Sequence, residues 1–223
     1  MERMPRWIAL LAVLALAACG GGAAPSSSTP TDSPTASASS PAIAVGDVVT
    51  ITASPNSVVT VRVREQLARV PAPSDAVMTT SAVSGALLVR PDGSFASGSK
   101  IDVDLTTLKS DESRRDDFVK RQTLETSRYP TATFVPVQAE GIPAPLTASG
   151  EWKATLVGDL TIHAVTKRIS WDATVKRSGA DVTGTATTHF TFEDFGMQPP
   201  SAAVVLSVVD DVRLQVDFVG SVG

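Results

Sequence analysis

The groups with which this 223-residue chain could do chemistry are few and widely spaced. Its one cysteine, Cys19, closes a short apolar run, and a thiol there is a nucleophile that can carry a lipid. Its two histidines, His163 and His189, have no neighbour at metal-ligand spacing and read as solvated surface residues. Arg114, Arg115, Lys120, Arg121 and Arg128 concentrate positive charge in one stretch. They could form a cationic rim for a ligand head group, with Arg114 and Arg115 the candidates, or solubilise a surface helix through ion pairs. Asp194-Phe195-Gly196 matches the metal-binding tripeptide of protein kinases, but the Gly-rich loop, Val-Ala-Ile-Lys strand and His-Arg-Asp loop are absent, so it reads as a turn. No Gly-x-Ser-x-Gly elbow or Walker loop occurs, and strand carboxylates fall on outward phases. These residues give no basis for an enzyme, a metal or a catalytic cofactor.

The positively charged stretch sits inside a unit from Ile101 to Phe134 that reads as strand, short helix, strand. Ile101, Val103 and Leu105 alternate with Asp102, Asp104 and Thr106, a period of two. Ser110 and Asp111 suit a helix start, because short side-chain oxygens accept free backbone N–H groups. Asp111–Arg115, Asp116–Lys120 and Asp117–Arg121 are ordered acid-before-base at four-residue spacing, the favourable sense on a helix. Phe118 and Val119 are its only large apolar residues, which predicts a helix lying on a surface as a lid or plug. Pro130 drives Tyr129 into extended geometry and opens a strand from Thr131 to Val137.

The rest of the chain from Val48 onward is strand after strand. Val59, Val61 and Val63 alternate with polar residues; so do Val83, Gly85, Leu87 and Val89. Glu65 to Ser81 reads as a loop from Pro71 and Pro73, and Gly141 to Gly150 as another, with Trp152 just beyond it. Leu156, Gly158, Leu160 and Ile162 share one face, followed by a tight connection and the partner face Ile169, Trp171, Ala173 and Val175. Val182, Gly184, Ala186, Thr188, Phe190 and Phe192 form a long strand, Val204, Leu206 and Val208 a short one, and Val212, Leu214, Val216 and Phe218 the last. This pattern fits an antiparallel barrel or a sandwich. Gly158, Gly184 and Ala186 either leave room for a ligand or allow close strand packing.

Three blocks carry a family resemblance: Tyr129-Pro130-Thr131-Ala132-Thr133-Phe134 after the short helix, Gly158-Asp159-Leu160-Thr161-Ile162-His163-Ala164-Val165-Thr166-Lys167, and Phe192-Glu193-Asp194-Phe195-Gly196. In this order they resemble the YceI-like family of polyisoprenoid-binding proteins. The resemblance implies a mainly β fold, an antiparallel lipocalin-like barrel of about eight strands with one short helix, around an apolar tunnel holding a long isoprenoid chain. It makes Val103, Leu105, Phe134, Leu160, Ile162, Trp171, Phe190 and Phe192 the candidate tunnel lining. The chain departs from the family at Ala164 and Arg168, where Gly and Pro are expected, and across Glu65 to Ser81, which is longer and lacks the family's Arg-His and Gly-rich pattern.

The N-terminus reads as an address. Arg3 and Arg6 precede an apolar run, Trp7 to Ala18, that is too short for a membrane-spanning helix. Leu16-Ala17-Ala18-Cys19 resembles a bacterial lipobox, in which the Cys becomes the lipidated first residue; the other reading is an ordinary secretory signal. Residues 1–18 are then a lipoprotein signal peptide, 19–42 a lipidated Cys and disordered Gly/Ser/Thr/Pro linker, and 43–223 the β-barrel domain. Such a linker would span about 25 Å. With no second cysteine there is no disulfide, and the domain must be held by its core. The formal net charge of −4, without a basic stripe, gives no support for nucleic-acid binding.

Together these readings predict an exported protein anchored to a bacterial membrane by Cys19, facing the periplasm or cell exterior. Its partners would be that membrane and an isoprenoid or other long-chain lipid; its oligomeric state stays open. The alternative is a surface-displayed interaction domain with no ligand, with the Glu65–Ser81 segment filling or covering the pocket.

Overall fold

The computed structural model describes residues 48–223. The expected signal segment, Cys19 and the linker lie outside the described residues. Ten strands form one antiparallel sheet: β1 (Val49–Ala53), β2 (Val58–Leu67), β3 (Ser74–Thr80), β4 (Val83–Val89), β5 (Lys100–Asp104), β6 (Thr131–Glu140), β7 (Ser149–Ile162), β8 (Val165–Ser178), β9 (Asp181–Phe190) and β10 (Val205–Val222). From β4 to β10 each strand pairs with the next, and β10 returns to β1, so the sheet is closed.

The expected eight strands emerge because four of the ten strands make two bent staves. Pro55 cannot donate to a ladder, and Val-rich β1 and β2 part there. Both still pair with β10: Ile51 opposes Val222, and Val61 opposes Leu214. Buried Ser57 bridges the bend, donating its hydroxyl to the Val219 carbonyl at 2.9 Å and accepting the Val219 N–H at 3.0 Å. On the next stave β4 pairs with β1 and β3 with β2. These two staves and β5 to β10 make eight.

The Glu65–Ser81 expectation is corrected. Only residues 68–73 connect; Ser74 to Thr80 is a strand, with Val61 opposite Met78 and Thr60 opposite Thr79. Pro71 and Pro73 both fall in the connection, where no ladder hydrogen bond is lost. The segment is therefore barrel wall. The period of two set by Val59, Val61 and Val63 runs on through Glu65 and Leu67, all of which line the interior.

The start of β10 is also corrected. The alternation Val204, Leu206, Val208 does not face inward together, because the register slips between Val205 and Ser207 and again between Val208 and Val212. Leu206 is the unpaired extra residue and is 66% exposed. The second irregularity is fixed by Asp210, whose carboxylate accepts the Phe192 N–H at 2.7 Å. Beyond it the expected phase holds: Val212, Leu214, Val216 and Phe218 line the interior.

Between β5 and β6 the chain makes a short 3-10 turn, Leu105–Thr107, and then helix α1 (Ser113–Phe118), which runs into a π turn at Val119–Thr123. The helix starts later than Ser110 and Asp111 predict. Glu112 caps it, accepting from the Arg114 N–H at 3.2 Å. Ser110 instead donates its N–H and hydroxyl to Asp116 at 2.8 and 2.6 Å, so Asp116 is taken up by this reverse cap. Asp111–Arg115 and Asp117–Arg121 form as expected, the latter at 3.7 Å.

A compact apolar cluster fills the α1 end of the barrel. Leu105, Leu108, Leu160, Ile162, Trp171, Phe190, Phe192, Met197 and Val212 pack around Phe195, which has no exposed surface. Phe195 is delivered by the Asp194-Phe195-Gly196 turn, as a turn reading requires. Asp194 accepts the Thr191 N–H and hydroxyl, both at 2.9 Å, and Gly196 takes a left-handed φ of 65°.

Candidate functional site

Inward phases of the staves enclose an apolar cavity of about 1000 Å³. It runs from α1, through the middle of the barrel, to the opposite end, where Phe95, Ile142 and Leu146 line it. β7, 14 residues long, measures about 46 Å along the strand. At a barrel tilt of about 40° that is about 35 Å of axial length. The interior is long and narrow.

All the residues predicted as lining are found there: Val103, Leu105, Phe134, Leu160, Ile162, Trp171, Phe190 and Phe192. Period-two alternation brings them together from five different parts of the chain. Leu105, Leu160, Ile162, Phe190 and Phe192 also belong to the packed cluster at the α1 end, so they wall the cavity from a rigid base. Trp171 belongs to that cluster too, and Phe134 packs against it edge to face, with centroids 5.8 Å apart and planes at 75°. Of the small residues, Gly184 and Ala186 line the cavity, whereas Gly158 serves packing: a Cβ there would lie 2.4 Å from the Phe134 ring.

The α1 end carries the charged groups. Arg114 and Arg115 both line the cavity, beside Glu65, Asp111 and Glu112. Arg115 is held by Glu65 at 3.0 Å and by Asp111. Glu65 is buried and Arg115 partly so. The ion-pair reading of this cluster therefore holds for Arg115, whose charge is already compensated by two carboxylates. The pair also ties α1 to β2, and with Phe118 and Val119 facing the cavity the helix covers this end. Glu65 was missed by sequence reasoning because the prolines after it suggested a loop.

Two other expectations divide. His189 is solvated, with its side chain 78% exposed and Asp211 at 3.1 Å. His163 is not: its side chain is 16% exposed, 3.3 Å from Glu125 and 4.5 Å, edge to face, from the Tyr129 ring. It sits in the two-residue β7–β8 turn, where His163 and Ala164 take φ of 52° and 60°. A tight primed hairpin turn demands such angles, and it points His163 back onto Tyr129. Arg168 departs from the family's Pro and forms a cross-strand fork to Asp159 at 2.6 and 3.0 Å. That guanidinium holds the Asp159 carboxyl below the usual aspartate range. Hydrogen bonds from Thr191 do the same for Asp194, and Arg64 and Arg213 for Asp75. These shifted carboxylates all lie outside the cavity lining.

Among the described residues no group of three or more His, Cys, Asp or Glu is placed to hold a metal ion. No described helix is long and apolar enough to cross a membrane.

Residues 50–220 match the family model described as the YceI-like domain. The chain is 35% identical over 120 residues to a UPF0312 protein of Pseudomonas putida strain W619, covering 50% of this chain and 59% of that protein. It is 32% identical over 111 residues to a UPF0312 protein of Pseudomonas fluorescens strain SBW25, covering 46% and 54%. The chain thus spans somewhat over half the length of the curated relatives it matches. Among solved structures, a polyisoprenoid binding domain from Saccharophagus degradans, implicated in plant cell wall breakdown, superposes with a TM-score of 0.62 at 13% identity, over 78% of this chain and 98% of that one. Burkholderia cenocepacia BcnA superposes with a TM-score of 0.56 at 19% identity, over 75% and 98%. At these identities the likeness is one of fold.

Proposed function

The chain belongs to the YceI-like domain family, and from that premise we propose that it is a binding protein, not an enzyme, which holds an isoprenoid or similar long apolar chain lengthwise in its barrel. The observation that carries this reading is the cavity itself. A space of about 1000 Å³ lined almost wholly by apolar side chains lies at the upper end of the range for ligand sites. Each buried CH₂ of a chain would contribute about 0.8 kcal/mol, against the cost of ordering the chain. The solved polyisoprenoid binding domain of the same fold supports an isoprenoid as the ligand class.

A packed interaction domain, the other reading, would need side chains meeting across the barrel centre. The wall formed by β2 and β3 instead borders open space at Val61, Ala76 and Met78. In the favoured reading Cys19 carries a lipid anchor, the linker holds the barrel off the membrane, and the protein stores, shields or transfers lipid outside the cytoplasmic membrane.

The test is thermal unfolding of the full chain, stripped of lipid, with and without a long-chain isoprenoid alcohol. At a hundredfold excess over Kd, mass action stabilises the native state by about 2.7 kcal/mol. For a domain of this size that raises Tm by about 5–11 °C. Ala186→Phe, which narrows the cavity, should abolish the rise. An unchanged Tm at saturation in the unsubstituted chain would remove the basis for the proposal.

A further inference from the structure

Along β8 the inward phase runs Trp171, Ala173, Val175 and then Arg177, all four lining the cavity. A charge on an inward phase is costly unless something compensates it. Arg177 is half-buried at the end opposite α1, where Phe95, Ile142 and Leu146 close in. Its Nε donates to the Gly179 carbonyl at 2.9 Å and its Nη1 to the Leu146 carbonyl at 3.3 Å. These two carbonyls orient the guanidinium and leave its charge uncompensated. Among the described residues no carboxylate lies within ion-pair distance of it. Its Nη2 has no protein partner and keeps accessible surface. The charged lining residues divide by end: Glu65, Asp111 and Glu112 face only Arg114 and Arg115 at the α1 end, whereas Arg177 stands without a lining carboxylate at the other.

We propose that Arg177 is a head-group site and that the ligand is an acidic lipid, a long apolar chain ending in a carboxylate or phosphate oxyanion. Its head lies at the end opposite α1 and its tail points toward the packed cluster. This rests on the lipid-binding reading and deepens it by fixing the ligand's charge and its direction in the barrel. Nη1 and Nη2 can each present an N–H to one of two oxygens, the fork that a carboxylate or phosphate accepts. The Gly179 and Leu146 carbonyls already hold the guanidinium, so less side-chain freedom is lost on binding. The reverse direction would set the oxyanion beside Glu65, Asp111 and Glu112, where Arg115 is already paired with two carboxylates. Arg114 and Arg115, the head-group candidates from the sequence, therefore give way to Arg177.

The experiment compares phytanic acid, phytanyl phosphate and phytanol, which share one isoprenoid chain and differ in the head, at neutral pH on the full chain stripped of lipid. The acid and the phosphate should bind about tenfold more tightly than the alcohol, the advantage of a charge-assisted hydrogen bond. Arg177→Gln should erase that preference, Arg177→Lys should keep most of it and Arg114→Gln should leave it unchanged. The alcohol separates charge from structure, because losing the loop contacts alone would weaken all three ligands equally. Whichever of acid and phosphate loses more in Arg177→Gln names the source of the oxyanion, and either result supports the proposal. The Arg177 Nε–H resonance, assigned by its loss in Arg177→Lys, should shift with the acid and the phosphate and not with the alcohol. If all three bind the unsubstituted chain alike, or if Arg114→Gln and not Arg177→Gln removes the preference, this inference falls and the lipid-binding reading stands. If none of the three binds, both fall. Should Arg177→Gln not fold, the resonance decides: a response to all three ligands alike, or to none, overturns the inference.

Discussion

Replacing Glu65 by alanine should loosen α1 and destabilise the domain by an amount the geometry allows to be worked out. Glu65 is 8% exposed and its carboxylate lies 3.0 Å from Arg115, whose side chain is 21% exposed. Removing one partner of a fully buried pair costs about 3–5 kcal/mol. Here Arg115 keeps Asp111 and some solvent, so the expected loss is about 2–3 kcal/mol. For a domain of this size that lowers Tm by about 4–12 °C. The assay is a double-mutant cycle read by urea unfolding: Glu65→Ala, Arg115→Ala and both together. The double variant should be less destabilised than the sum of the singles by about 1–3 kcal/mol. Asp111→Ala, at a side chain 86% exposed, should be close to neutral. Hydrogen exchange should then show α1 opening faster in Glu65→Ala while β7 and β8 stay protected. Equal losses for Glu65→Ala and Asp111→Ala, or a coupling of zero, would refute the view that this pair fastens the helix over the cavity.

Three further outcomes are expected. Ala164→Gly should raise stability by about 1 kcal/mol, because a residue with a Cβ at φ 60° is strained and glycine is not; thermal unfolding measures it, and a lower Tm would contradict it. Asp194→Asn should lower stability at neutral pH and leave it unchanged in acid. The Thr191 hydrogen bonds depress the native carboxyl, so its contribution is present above the unfolded aspartate range and is lost as pH falls through the native one; matched pH titrations of unfolding check this, and a pH-independent difference would refute it. Cys19→Ser should release the protein from the membrane fraction, since a hydroxyl there cannot take the thioether-linked lipid; retention after a high-salt wash would show another anchor.

Much of the barrel was legible because period two is a strong signal where one face is buried and the other wet. That is why β7 and β8, with Leu160, Ile162 and Trp171 inward and Asp159, Arg168 and Asp172 outward, could be phased from sequence. The illegible parts are those where local composition and tertiary pairing disagree. Pro71 and Pro73 sit only in the β2–β3 connection, yet they masked Ser74–Thr80, a strand whose partner is supplied by β2. The slip at Leu206 depends on the opposing register of β2, and the second on Asp210 reaching Phe192; neither leaves a mark in the local pattern. His163 looked solvated because a turn position is usually exposed, whereas Tyr129, brought in by β6, covers it. The lining residues were reachable from period and resemblance together.

In the proposed function the barrel carries a long apolar lipid. The most direct measurement is native mass spectrometry of the full chain purified gently from its own envelope, followed by organic extraction and identification of what is released. One bound molecule per barrel is expected, an isoprenoid-type chain, lost when Ala186→Phe narrows the cavity. Repeated recovery of empty protein that also fails to take up added isoprenoid would contradict it.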